Sequence, residues 1–85
     1  MLMPPKRTKN ELIVEILEIC LEDNKSKTRI VYQANMNFKV ASSYLDLLIK
    51  NGLIDVIEDK MTLYKTTEKG KKALENLKTI SAMIS

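Results

Sequence analysis

The chain has 85 residues and a formal net charge of +3, with 45% apolar and 29% charged residues. That length holds one hydrophobic core rather than two, and that balance excludes a disordered or fibrous chain. No apolar run approaches the roughly 20 residues of a membrane-spanning helix. The opening MLMPPKR places two prolines where a signal peptide would be apolar, so the expected location is the cytoplasm.

In chain order, residues 1–7 carry Lys6 and Arg7 and are expected to form a flexible basic arm, both side chains being candidates for a neighbouring minor groove if the chain binds a duplex. Thr8 and Glu11 have the spacing of a capping box, so a first helix starts there. Leu12, Ile13, Ile16, Leu17, Cys20 and Leu21 recur at three- and four-residue steps up to about Asp23, which leaves Glu11, Glu15, Glu18 and Glu22 on the outer side. After a polar linker, Thr28 is the expected cap of a short second helix that reaches Ala34 and buries Ile30, Val31 and Ala34. Asn35-Met36-Asn37 reads as a tight turn, with Asn37 capping a third helix that Gly52 ends. Along that helix Ala41, Tyr44, Leu45 and Leu48 form an apolar stripe opposite Lys39, Ser42, Ser43, Asp46 and Lys50. Tyr32, Phe38 and Tyr44 are all assigned to the core. Leu53 to Ile57 and Met61 to Lys65 read as a hairpin around Glu58-Asp59-Lys60. Thr67 then caps a last helix bearing Ala73, Leu74, Leu77, Ile80 and Ile84.

The order helix, helix, helix, hairpin, helix gives a mainly α fold with a small β-hairpin, the winged helix-turn-helix arrangement. Residues 8–66 form its domain and residues 67–85 its C-terminal helix. Charge is blocked along the chain: the first helix is acidic, Lys25, Lys27, Arg29 and Lys39 follow without an acid, and from Lys60 to Lys72 five lysines face Glu68 alone. Two basic blocks brought to one face would suit a polyanion. Catalysis is not expected, because the chain has no histidine, its carboxylates lie on solvent faces and its two glycines cannot build a phosphate loop. With a single cysteine and no Cys/His cluster, no disulfide within the chain, metal or cofactor is expected either.

Several fragments resemble a known family: Lys27-Thr28-Arg29-Ile30-Val31-Tyr32, Asn35-Met36-Asn37-Phe38, Tyr44-Leu45, Lys50-Asn51-Gly52-Leu53-Ile54 and Thr67-Glu68-Lys69-Gly70. Together they are similar to the archaeal winged helix-turn-helix transcription regulators that pair through a C-terminal helix, over residues 11 to 77. Thr66 departs from the apolar residue usual before that cap, and the last helix is shorter than in the long coiled-coil members. The resemblance implies binding of double-stranded DNA with the third helix in the major groove and the hairpin on the backbone.

The residues suited to that task are Lys39, Ser42, Ser43, Asp46 and Lys50 for base edges or phosphate, and Lys27, Thr28 and Arg29 for a phosphate clamp. Lys60 and Lys65 are the candidate wing contacts. Ala73, Leu74, Leu77, Ile80 and Ile84 have heptad-like spacing and suit a homodimer, or alternatively packing against the chain's own first helix. Two other functions fit the same fold: an architectural protein that binds DNA with little sequence preference, and a module that binds proteins.

Overall fold

The computed structural model describes residues 7–84; the expected arm, with Lys6, falls outside the described residues apart from Arg7. Helix α1 spans Lys9–Glu22, and its capping box is closed. The Glu11 amide donates to the Thr8 hydroxyl at 3.1 Å, and the Thr8 amide donates to the Glu11 carboxylate at 2.8 Å. That backbone hydrogen bond from Thr8 holds the Glu11 carboxyl below its ordinary range. Ile16, Leu17 and Cys20 are fully buried on the inner side, and burial pushes the Cys20 thiol up to about 12.

Helix α2 spans Lys27–Ala34 and is capped by Ser26, not by Thr28 as the sequence suggested. Ser26 has the extended backbone a cap requires, and its hydroxyl accepts from the Arg29 amide at 3.3 Å, leaving Thr28 exposed inside the first turn. The helix buries Ile30 and Ala34, while Val31 is only half-buried. It ends where Asn35 turns left-handed at φ 50°, with the Asn35 amide on the Tyr32 carbonyl (3.3 Å) and the Met36 amide on that of Val31 (3.2 Å).

Helix α3 spans Phe38–Lys50 and starts on Asn37, whose side-chain oxygen accepts from the amides of Lys39 (2.7 Å) and Val40 (3.3 Å). It stops in the same way as α2. Gly52, at φ +74°, donates to the Ile49 carbonyl at 3.0 Å, and Leu53 donates to that of Leu48 at 2.8 Å. Left-handed residues therefore fix the chain just before α3 and just after it.

Strands β1 (Ile54–Glu58) and β2 (Thr62–Thr66) pair antiparallel, with Ile54 opposite Thr66 and Glu58 opposite Thr62. The tip is Asp59-Lys60-Met61, one residue later than expected, because Glu58 stays in the ladder and accepts from the Thr62 hydroxyl at 2.8 Å. A third strand, one residue long, was not foreseen: the Lys25 amide donates to the Tyr64 carbonyl at 3.0 Å, and the Tyr64 amide donates back at 2.8 Å.

Helix α4 spans Glu68–Ile84 and packs on α1. The Thr67 hydroxyl accepts from the Gly70 amide at 3.0 Å and donates to the Gly52 carbonyl at 2.7 Å. Gly70 has no room for a side chain, since a Cβ would stand 2.2 Å from the Leu53 carbonyl oxygen. Thr66, the departure from the family pattern, is buried with its hydroxyl donating to the Leu17 carbonyl at 2.7 Å. The core joins Ile16, Leu17 and Cys20 with Ile30, Leu45, Leu48, Ile54, Tyr64 and Leu74.

Two aromatic assignments are corrected. Tyr32 is 79% exposed and Phe38 51%. Tyr32 lies two residues beyond Ile30 and so on the opposite side of α2, and Phe38 opens α3 at the margin of the core.

Candidate nucleic-acid interface

Helical geometry aligns Lys39, Ser43, Asp46 and Lys50 along one outward row of α3. All four are exposed, so no other element covers the row, and Ser42 is half-buried at its flank. Beneath it Ala41, Leu45 and Leu48 anchor the helix in the core, so the row stands on a fixed base.

Lys27, at the start of α2, reaches the start of α3, where its Nζ lies 5.9 Å from the centre of the Phe38 ring. This cation–π contact brings one of the predicted phosphate-clamp residues to the N-terminal end of the row. Thr28 and Arg29 are exposed beside it in the first turn of α2.

The hairpin divides its two candidates. Lys60 is exposed at the tip, where Glu58 and Asp59 outweigh its charge. Lys65 sits at the base opposite Asp55, in a groove shared with Leu21, Glu68 and Lys71, which is the α1 and α4 side of the domain. Lys60 and Lys65 therefore belong to different surfaces. Lys9, a residue the sequence reading gave no role, shares a groove with Ser43, Tyr44 and Leu47 of α3. No local pattern in the sequence points to it, because the groove forms only where α1 and α3 meet.

Arg7 does not trail from the domain, which corrects the minor-groove expectation for that residue. Its guanidinium lies 2.8 Å from Glu15 and also donates to the carbonyls of Ala34 and, at 2.9 Å, Asn35. Carbonyls at a helix end lack partners within the helix, and the forked guanidinium supplies them.

The proposed pairing stripe on α4 also splits. Leu74 lies in the domain's own core, a correction to its assignment as an interface residue, and Ala73 and Leu77 are half-buried. Packing on α1 accounts for this, together with the 2.6 Å ion pair between Lys78 and Glu18. Ile80 and Ile84 remain exposed, joined by Met83, which the heptad spacing did not include. Among the described residues the ion pairs are Arg7 with Glu15, Glu68 with Lys71 and Glu18 with Lys78, none of them on α2, α3 or the hairpin. No helix among those residues is long and apolar enough to cross a membrane.

The sequence matches the winged helix-turn-helix family over residues 6–85. An uncharacterized protein of Methanocaldococcus jannaschii is 44% identical over 72 residues, which cover 85% of this chain and 71% of that protein. A second uncharacterized protein of the same organism is 33% identical over 93% of this chain but only 36% of its own length. Among solved structures, Sso10a-2, a DNA-binding protein from Sulfolobus solfataricus, superimposes with a TM-score of 0.83 at 33% identity, over 91% of this chain and 81% of that one. The transcriptional regulator BldR from the same organism shares the fold, with a TM-score of 0.79 at 19% identity over 86% of this chain and 55% of its own.

Proposed function

The chain belongs to the winged helix-turn-helix family, and from that premise we propose that it binds double-stranded DNA as a transcription regulator, with α3 in the major groove and the hairpin along the backbone. The observation that carries this reading is the outward row of α3, open to solvent and free of ion pairs to its own domain among the described residues. Lys39 and Lys50 supply charge-assisted donors to guanine edges or phosphate, Ser42 and Ser43 hydrogen-bond either, and Asp46 accepts from cytosine. Lys27, Thr28 and Arg29 hold phosphate at the start of α2, while Lys60 reaches backbone from the tip of the hairpin and Lys65, on the α1 and α4 side, is left out of the contact. The Sulfolobus protein that is 33% identical is a DNA-binding protein, which supports the same reading.

A second copy is proposed to pair through the end of α4, with Ile80, Met83 and Ile84 as its apolar contacts. Pairing would present two third helices to half-sites about one helical turn apart. Sedimentation of the wild type against Ile80→Glu tests it, with a monomeric wild type as the contrary result.

A second duplex-binding reading, an architectural protein with little sequence preference, is favoured by the shortage of arginine. Arg7 is engaged within the domain, so Arg29 is the other arginine left for a duplex. Competition by unrelated DNA separates the two, since specific complexes usually hold a ratio of about a thousandfold or more.

Fluorescence polarisation of labelled duplexes across several salt concentrations tests the interface itself. Lys39→Glu and Arg29→Glu are each expected to weaken binding and to lower the slope of log affinity against log salt by about one for each lost phosphate contact. Unchanged affinity of both variants at low salt removes the proposed surface.

A further inference from the structure

We propose that the first turn of α3 reads thymine methyl groups through Phe38 and Val40, giving the protein a preference for major-groove stretches rich in A·T pairs. The proposal rests on the duplex-binding reading above and names the base chemistry that surface selects.

Phe38 and Val40 stand on either side of Lys39, 51% and 38% exposed. The other apolar side chains of α3 are buried or half-buried, so exposed apolar surface on this helix is confined to its first turn. In helix-turn-helix proteins it is the N-terminal residues of the third helix that meet base edges. The one apolar group on those edges is the C5-methyl of thymine, which aromatic and small aliphatic side chains contact without needing a hydrogen bond.

Two further features fit an apolar reader here. The side-chain oxygen of Asn37, the residue before Phe38, is already engaged by the amides of Lys39 and Val40, so it is not available as an acceptor for a base. Lys27 lies over the Phe38 ring and places a positive charge beside that apolar side chain. Lys27 over the Phe38 ring and Lys39 between the two residues thus set cations beside uncharged side chains, a pattern that complements a methyl-bearing base edge flanked by phosphates.

The decisive probe is a duplex of alternating A·T steps, compared with the same duplex carrying deoxyuridine in place of every thymine. The two differ only in the methyl groups. By polarisation at fixed salt, the wild type is expected to bind the thymine duplex more tightly, by about fourfold for each methyl buried, equivalent to ~0.8 kcal/mol. Phe38→Ala and Val40→Ala are expected to bring the ratio toward one with the salt slope unchanged, and Phe38→Leu to retain most of it. Circular dichroism melting confirms that each variant is folded, and Val40→Ala serves if Phe38→Ala is not. A wild-type ratio of one, or a ratio that survives both alanine substitutions, overturns the proposal and leaves duplex binding standing. Failure of the wild type to bind either duplex at low salt removes the duplex reading itself.

Discussion

Helices α1 and α3 are nearly equal in length, and each puts three side chains fully into the same core, yet their outer faces are used in opposite ways. On α1, Glu11 closes the cap, Glu15 holds Arg7 and Glu18 holds Lys78, so its outward charges fasten the chain's first described residue and last helix to the domain. On α3, Lys39, Ser43, Asp46 and Lys50 form no ion pair among the described residues. Similar helices thus differ in what their surfaces do: one uses its charges to hold the fold together, and the other leaves its row open to solvent.

The inner faces should behave alike, and substitutions there have the largest effects. Leu17→Ala and Leu45→Ala each remove a fully buried leucine, and each is expected to lower stability by about 2–5 kcal/mol in urea or thermal unfolding. A loss at Leu45 far below that at Leu17 would mean that α3 is not anchored as firmly as α1.

The outer faces should differ. Arg7→Ala breaks a half-buried ion pair and two hydrogen bonds to the end of α2, for an expected loss of about 1 kcal/mol once solvent screening is allowed for. Lys39→Glu is expected to stay within about 0.5 kcal/mol of the wild type. If Lys39→Glu destabilises as much as Arg7→Ala, the α3 row is holding the fold and the contrast fails.

The smallest effect concerns the cap of α1. Folding lowers the Glu11 carboxyl from its ordinary value of 4.5, so its contribution to stability is complete above that value and is lost as pH falls through the lower, folded one. Unfolding of the wild type and Glu11→Gln, compared from neutral to acid pH, should show a stability difference that narrows on acidification. A difference independent of pH would show that the carboxylate charge plays no part in the cap.

Much of this was legible in the chain before folding. Helix periodicity, the Thr8 and Glu11 box, Asn37 and Gly52 located α1 and α3 because each signal is local and repeated. The cap of α2 was not, because Ser26 and Thr28 are both competent and only the linker's approach to β2 decides between them. The single-residue strand at Lys25 has no period to read. Tyr32 and Leu74 failed for a shared reason: apolar spacing shows which residues lie together but not whether that face turns to the core, a partner or water. Within the candidate interface, the row on α3 was foreseen, whereas the recruitment of Lys9 and Lys27 to its edges depends on how separate helices cross.

The bridge between Lys25 and Tyr64 has a mechanical consequence. Ser26 follows Lys25 directly and caps α2, so the hairpin and the first turn of α2 are tied through neighbouring backbone units and tilt as one. On the proposed reading, Lys60 and Arg29 would then approach a duplex as parts of one unit of the fold, not as two independent arms.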